Sequence, residues 1–422
     1  MNASHTDRHQ RPLYFWCASG LALLATAIHF YIIHRYSSGM PYRDDFDAIF
    51  GFLNLLPDLT TWQKFLHLFN QNNEHRIFLD NLISLSMVSL TGKFDFVWMI
   101  WIGNIGWFLI VILFWKYAKN NQISFVEFSP LVIGMMCLSH YELMTMAMAG
   151  VQHYFQVFFC ILSTYYLVSG NRNLALLFFT CAIFSAGGGI CLAPVIFLYY
   201  FVKKEWCSLF ISIAVVSTVL VVYFPLLGYV QPVGHPNVLL ALKAPLYLIT
   251  YAMGFLGSIG NTYKFSIGLG IIFTVFLVFK WKFLYVKYPF LFWLTVYLLV
   301  TAMTNAITRG AIGIRTGQGS RYTTYSVIFT SILYLTCLFS ASSIKIRLRT
   351  AQVGLFLSLV IFSYWFSHGQ ENIAARYDDL ESGVLQHPTL EYAIPTLQRA
   401  IDLGYYYPTK MPSPPIVLKA TE

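Results

Sequence analysis

The sequence predicts an all-α polytopic membrane protein. Apolar runs of about twenty residues recur along the whole chain, and this is the length that a helix needs to cross a bilayer. Hydrophobic residues make up 57% of the chain and charged residues only 11%, and the mean hydropathy is +0.61. These proportions exclude an ordinary soluble domain.

Basic residues between the apolar runs predict the topology, because cytoplasmic segments of membrane proteins are rich in Lys and Arg. The basic segments with almost no acids are those of Arg8 and Arg11, Lys116 and Lys119, Arg172, Lys203 and Lys204, Lys280 to Lys287, and Lys345 to Arg349. Placing them in the cytoplasm gives about 11 transmembrane helices. The net charge of +9 then reflects membrane orientation, and no basic patch on a soluble module supports nucleic-acid binding.

This topology divides the chain into four segments. Residues 1–12 form a cytoplasmic N-terminus, and residues 13–116 contain a retained first helix, a large outer loop and the second helix. Residues 117–366 form a multi-span body with outer loops at 229–264 and 305–322. Residues 367–422 form a C-terminal tail on the outer side. The seven cysteines fall within or beside the spans, where they are expected to act as small apolar side chains.

The large outer loop is predicted to contain interfacial helices. Trp62, Phe65, Leu66 and Phe69 occupy positions i, i+3, i+4 and i+7, which places them on one face of a helix. That helix is too short and too polar to cross, so we expect it to lie on the outer bilayer surface. The apolar stretch 77–90 is interrupted by polar residues and is expected to be interfacial or re-entrant.

Acidic residues are concentrated just after the first span. The stretch PYRDDFDAI contains Asp44, Asp45 and Asp47 in four positions, although the chain has only 18 acidic residues. A charge at bilayer depth costs roughly 2.5–3.5 kcal/mol on insertion scales, and a carboxylate can accept a proton from a hydroxyl nucleophile. We therefore predict a catalytic role for Asp44 or Asp45. The alternative is that these acids cap the next helix or solvate the loop.

A basic outer loop occurs late in the chain. The stretch NAITRGAIGIRTGQGSRY contains Arg309, Arg315 and Arg321, followed by Tyr322, with four glycines and no acid. Guanidinium groups bind phosphate bidentately, so these four residues are predicted to bind the phosphate of a donor. A spacing of six places the arginines on different faces of a helix, so convergence would require an irregular loop. Nonspecific contact with lipid headgroups is the alternative.

Two further polar clusters are candidates for substrate binding: Glu74, His75 and Arg76 in NNEHR, and His140 and Glu142 in SHYELM. Their structural alternatives are a local ion pair on a surface turn and polar residues at a helix end. Gly187 to Gly189 are predicted to let short helices pack or turn within the membrane, without a chemical role.

The outer carboxylates and arginines together predict group transfer from a phosphate-linked donor to an alcohol. No Walker A motif, GxGxxG motif or GxSxG elbow occurs in the chain, so nucleotide or hydrolase chemistry of the soluble kind has no support. The donor would then be a lipid phosphate anchored in the membrane.

The ordered set YRDDFDAI, NNEHRIF and R…GQGSRY resembles the GT-C class of membrane glycosyltransferases. It is similar in particular to bacterial and phage serotype-converting O-antigen glucosyltransferases. The resemblance covers the N-terminal third and the arginine loop, and it implies transfer of a sugar from a polyprenyl-phosphate donor. The acceptor would be an O-antigen or another lipid-linked or cell-surface glycan, on the periplasmic face of the bacterial inner membrane.

The resemblance also implies that Asp44 or Asp45 acts as the base, or as a metal ligand, as in some members of the class. A divalent metal is therefore compatible with the family, and no other cofactor is implied. A donor-synthesising transferase and a flippase would be its partners in the membrane. Two alternatives remain open at this stage. One is a transporter or flippase for a lipid-linked saccharide, and the other is an O-antigen polymerase or ligase.

Overall fold

Helices dominate the fold, as the sequence predicts. The computed structural model describes residues 6–232, 244–313 and 315–408. Parts of the predicted N-terminus (1–12), outer loop (229–264) and tail (367–422) lie outside the described residues. Within the described residues, the only strands are Gln71–Asn72 and His75–Arg76, which pair as an antiparallel hairpin.

Six helices in the described part of the chain are long and apolar enough to cross a membrane. They are Trp16–Tyr36, Phe96–Asn120, Trp206–Leu226, Pro289–Arg309, Ser320–Phe339 and Ile344–Glu381. A bent pair, Tyr263–Phe279 and Trp281–Lys287, forms a seventh span if it is counted as one, and its axes differ by 59°. These helices are those of an all-α membrane protein, but they do not confirm 11 crossings.

The remaining helices are shorter or more polar. They are Thr61–His67, Phe78–Thr91, Phe125–Met135, Tyr141–Met144, Ala147–Val168, Arg172–Ser185, Ala193–Lys203, Pro245–Leu256 and Leu390–Asp402. In the first outer loop, helix Thr61–His67 leaves Trp62, Phe65 and Leu66 exposed, as expected for an interfacial face. Helix Phe78–Thr91 buries its polar residues Asp80, Asn81 and Ser84 against the protein.

Two glycines let helices Phe96–Asn120 and Ala147–Val168 approach closely. A Cβ atom at Gly103 would lie 2.8 Å from the carbonyl carbon of Gly150, so any larger side chain would push the helices apart. The chain between residues 136 and 146 is irregular here. Trp107 Nε1 donates to the Met135 carbonyl at 2.9 Å, and the Asn104 amide donates to the Met144 carbonyl at 2.9 Å. These donors satisfy backbone groups that helical bonds leave unpaired.

The last long helix extends beyond the membrane. Ile344–Glu381 contains 38 residues and is therefore about 57 Å long, roughly twice the thickness of the hydrocarbon core. The boundary predicted at residue 367 falls inside this continuous helix. Near its start, Arg347 Nε lies 2.5 Å from Glu127 Oε1, which ties it to helix Phe125–Met135.

The C-terminal segment packs onto the first outer loop. The amide of Arg43 donates to the Gln386 carbonyl at 2.8 Å, and the amide of Phe94 donates to the Tyr405 carbonyl at 2.7 Å. The Tyr406 hydroxyl donates to the Gly39 carbonyl at 2.7 Å. The first outer loop and residues 367–408 therefore form one packed unit. We call residues 37–95 and 367–408 the outer lobe.

Candidate functional site

A cavity of about 460 Å³ opens between the hairpin 71–76 and the helices of the membrane body. We call it the main cavity. Its polar lining combines predicted residues with residues from helices that carry no recognisable motif: Glu74, His75, His153, Gln156, Thr304, Asn305, Thr308, Arg309, Tyr322 and Tyr325.

Glu74 and Arg309 form an ion pair in this cavity. Glu74 lies in the turn of the hairpin, and Arg309 is the last residue of helix Pro289–Arg309. His75 Nε2 lies 3.8 Å from Glu74 Oε1. The structure thus brings together two motifs that are separated by more than half of the sequence, and it mixes an anion, a cation and an imidazole in one polar recess.

The orientation of His75 depends on Gly187. The amide of Gly187 donates to His75 Nδ1 at 3.3 Å, so Nδ1 is the acceptor, and a neutral ring carries its proton on Nε2, towards Glu74. A Cβ atom at Gly187 would lie 3.1 Å from both His75 Nδ1 and the Tyr223 hydroxyl. Gly187 therefore permits a close approach of the hairpin, which the sequence did not predict, and Gly187 and Gly188 form part of the cavity wall.

The deep end of the main cavity contains Gln156. Its Oε1 accepts a bond of 2.9 Å from the Tyr325 hydroxyl, and its Nε2 lies 3.3 Å from the Tyr297 hydroxyl. These residues belong to three different helices. Sequence reasoning missed Gln156, because a single polar residue in an apolar helix gives no motif and its partners lie more than 140 residues away.

A second group of charged residues combines residues from three of the predicted motifs. Arg321 Nε lies 3.6 Å from Glu142 Oε2, and Arg321 also interacts electrostatically with Asp44. Ser320 Oγ accepts from the Glu142 amide and donates to the Ser139 carbonyl, each at 3.1 Å. We call Asp44, Glu142 and Arg321 the acid–arginine cluster. The hydroxyl of Ser320 fixes the relative position of its two loops.

His153 lines the main cavity. It is near enough to His75 and Arg321 for the positive charges of both to act on its ring. Sequence reasoning did not identify His153. It lies within helix Ala147–Val168, where a lone histidine is indistinguishable from a packed one.

Asp44 and Asp45 have different environments. Asp45 is 1% exposed, and its two carboxylate oxygens accept bonds of 3.0 Å from the amides of Tyr42 and Met148. Burial raises the pKa of Asp45 to about 7, and the charge of Asp44 adds to this effect. The two amide bonds and the charge of Arg376 act in the opposite direction. Asp44 is only half-buried, so it is the member of the pair that a substrate could reach.

Besides Asp45, three predicted site residues lie outside the main cavity and the cluster. Arg76 is buried, and its guanidinium donates to three backbone carbonyls. His140 is buried against Trp107, and its Nδ1 lies 2.6 Å from the Tyr154 hydroxyl. Arg315 is exposed.

The three arginines of the glycine-rich loop do not converge on one point. After the helix ends at Arg309, the described residues form three short turns, Gly310–Ile312, Thr316–Gln318 and Ser320–Tyr322. The loop is irregular, as convergence would require, but these turns leave Arg315 in solvent while Arg309 and Arg321 face separate acids.

The described residues contain no group of three or more His, Cys, Asp or Glu side chains arranged to hold a metal ion. No family model matches the chain, and comparisons with curated proteins and with solved structures found no match. The side chains of the site are therefore the basis for assigning a function.

Proposed function

We propose that this protein is a membrane glycosyltransferase. It would transfer a sugar from a polyprenyl-phosphate donor to an O-antigen or another lipid-linked or cell-surface glycan, on the periplasmic face of the bacterial inner membrane. The observation that carries the proposal is that a polar cavity containing Glu74 and Arg309 adjoins the acid–arginine cluster, because Tyr322 lines the cavity and directly follows Arg321.

The main cavity suits the sugar of the donor. Side-chain amides, hydroxyls and imidazoles can pair with sugar hydroxyl groups, and the cavity offers Gln156, Asn305 and His153. Its volume of about 460 Å³ lies within the usual range for a small-molecule site. In this proposal Arg309 and Arg321 bind the donor phosphate, each by sharing its guanidinium between the phosphate and the neighbouring glutamate.

Asp44 is the better candidate for the base, because the oxygens of Asp45 are already bonded to backbone amides. In the proposed step the acceptor hydroxyl oxygen forms a bond to the anomeric carbon. The bond between that carbon and the phosphate oxygen breaks, and polyprenyl phosphate leaves with the electron pair. The hydroxyl proton moves to Asp44. Asp45 would position this loop through its two backbone bonds.

The proposed topology keeps 11 crossings. Four helices that are too short or too polar to count as spans on their own would supply the crossings beyond the seven described: Phe125–Met135, Ala147–Val168, Arg172–Ser185 and Ala193–Lys203. This arrangement would place the N-terminus in the cytoplasm and the outer lobe in the periplasm.

A lipid-linked saccharide transporter is the second candidate. The observation that favours it is the pair of polar residues His153 and Gln156 within helix Ala147–Val168, both of which line the main cavity, because transporters bind substrates among interrupted helices. A transporter would move the lipid-linked sugar without changing its mass.

The test is incubation of the purified protein with several polyprenyl-phosphate sugars and a lipid-linked glycan, followed by mass spectrometry. We expect the acceptor to gain one sugar and the donor to become polyprenyl phosphate. Arg321→Lys keeps the charge but loses the planar fork, so it should raise the apparent KM for the donor. Arg315→Lys, at an exposed position of the same loop, is the matched control and should behave like the wild type. Donor translocation in vesicles without product from any donor would reject the transferase.

A further inference from the structure

A second depression, of about 420 Å³, lies beside the main cavity. One side carries three amide side chains and an arginine, and the other side is formed by Leu227, Gly228, Val230 and Pro232. The polar residues are Asn70, Gln71, Asn73 and Arg76. We call this the Arg76 depression. It shares Pro232 with the main cavity, and the hairpin separates it from Glu74 and His75.

Gln71 fixes the shape of the depression. Its Nε2 donates to the Val230 carbonyl at 2.6 Å, and its Oε1 accepts from the Val230 amide at 3.0 Å. These two bonds attach the hairpin to the chain that follows the span Trp206–Leu226. Asn70 and Asn73 are exposed. Asn70 Nδ2 uses one N–H on His67 Nδ1, so its other N–H and the amide of Asn73 are accessible to a ligand.

Arg76 supplies a charge that no acid neutralises in the described part of the chain. The side chain is 2% exposed, and three of its five N–H groups donate to the carbonyls of Phe69 (2.8 Å), Tyr223 (2.8 Å) and Leu227 (2.9 Å). Two N–H groups have no partner among the described residues. Carbonyl oxygens orient a guanidinium but leave its charge in place, whereas Arg309 and Arg321 each face a glutamate.

The depression lies beside the end of a helix that is long and apolar enough to cross a membrane. It begins at Leu227, immediately after the span Trp206–Leu226 ends. Leu226 and Val230, which flank it, are 72% and 70% exposed. Exposed apolar side chains beside a buried cation at the end of a span match a lipid, which has a charged head and an apolar chain.

We infer that the Arg76 depression binds the phosphate group of a membrane lipid, at a site separate from the main cavity. The two unused N–H groups of Arg76, the other N–H of Asn70 and the amide of Asn73 donate to the phosphate oxygens. The apolar chain of the lipid lies along Leu226 and Val230. An anionic phospholipid and a lipid-linked saccharide both carry this phosphate ester, and the site does not require the transfer reaction proposed above.

The test measures lipid binding by the full-length protein in detergent, using native mass spectrometry. The probes are phosphatidylglycerol, polyprenyl phosphate and diacylglycerol, which lacks phosphate. We expect the two phosphate lipids to bind and diacylglycerol not to bind. Equal affinities would assign the site to bulk phospholipid, and a clear preference for polyprenyl phosphate would assign it to a lipid-linked substrate.

Asn73→Asp adds one negative charge at an exposed position of the depression, and it leaves the bond between Asn70 and the buried His67 in place, so it should lower phosphate-lipid affinity about tenfold. Asn120→Asp, at an exposed position at the end of helix Phe96–Asn120, is the matched control. Arg76→Lys should also lower the affinity for phosphate lipids. Because this substitution also removes hydrogen bonds of the guanidinium to three backbone carbonyls, its result is interpreted only together with that of the asparagine variant. Unchanged affinity in that variant, or binding of diacylglycerol equal to that of phosphatidylglycerol, would overturn the inference. Lipid binding without any glycosyl transfer would reject only the proposed function.

Discussion

At the scale of single residues, Asp44 and Asp45 are the clearest example of adjacent side chains with different properties. The carboxylate of Asp45 is held by the amides of Tyr42 and Met148 and is almost completely buried. Asp44 is half-buried and faces the charge of Arg321. The sequence identified the pair but not the difference, because the environment of Asp45 depends on Met148, which lies 103 residues away.

Asp44→Asn should lower the turnover of the proposed transfer by about 10² to 10⁴, because the amide cannot accept the proton. The measurement is product formation per enzyme, with apparent melting temperature as a check on folding. Asp58→Asn is the control, since Asp58 belongs to the same outer loop and forms only an exposed ion pair with Arg399. Near wild-type turnover in Asp44→Asn would reject its role as the base.

The buried carboxyl of Asp45 predicts a dependence of stability on pH. Its pKa is about 7 in the folded protein, whereas an aspartate in an unfolded chain has the ordinary value of 3.8. The folded protein therefore holds the proton more tightly than the unfolded chain. Stability from this group is complete below pH 4 and is lost as the pH rises to about 7, by at most about 4 kcal/mol. Asp45→Asn removes the titration. The apparent melting temperature of the wild type should therefore fall, relative to this variant, between about pH 4 and pH 7.

The control for this prediction is Asp402→Asn, at an exposed position of the outer lobe. Its melting temperature should follow that of the wild type at every pH. Parallel curves for the wild type and Asp45→Asn would contradict the assigned environment of Asp45.

At the scale of elements, the C-terminal segment positions the acidic loop. His387 Nε2 lies 3.0 Å from Asp47 Oδ2, and its Nδ1 accepts from the Thr389 amide at 3.0 Å. Helix Leu390–Asp402 adds a bond from the Asn54 amide to the Thr396 carbonyl at 2.8 Å. These contacts hold the turns that follow Asp44 and Asp45, so the segment acts on the site without entering it.

His387→Ala should loosen this contact. The side chain is buried, so its loss removes two hydrogen bonds and leaves a gap, which together cost about 1–3 kcal/mol. The expected results are a lower apparent melting temperature and faster proteolysis within residues 383–408. His34→Ala changes an exposed histidine at the end of the first helix and should have neither effect. Equal proteolysis rates for the two variants would show that His387 does not hold the segment.

The elements were predictable to different degrees. Apolar runs predicted the long helices, because a membrane-spanning helix is one continuous apolar segment of the sequence. The packing of residues 382–408 onto the first outer loop was not predicted, since it rests on backbone bonds such as that between Phe94 and Tyr405. For the same reason the motifs predicted Glu74 and Arg309 as site residues, whereas His153 and Gln156 emerged only from the folded arrangement.

At the scale of the whole molecule, the topology can be tested by labelling single cysteines with an impermeant thiol reagent, in a variant without the native cysteines. Cysteines at Asn73, Gln318 and Asp402 should react from the periplasm. Cysteines at Asn120 and Lys345 should react only after the membrane is opened, because the basic segments around them are predicted to be cytoplasmic. Exclusive labelling of Gln318 from the cytoplasm would place the acid–arginine cluster on the wrong side for a periplasmic reaction.

The outer lobe also has a consequence for biosynthesis. A ribosome adds residues from the N-terminus, so the loop of Asp44 is made early, but the Tyr406 hydroxyl that bonds to Gly39 belongs to a residue made 367 positions later. At 5–20 residues per second this interval lasts about 20 to 70 s. During that time the acidic loop lacks its final cover. A prematurely terminated chain could insert its helices into the membrane without assembling the outer lobe. Only full-length chains would therefore contain the complete site.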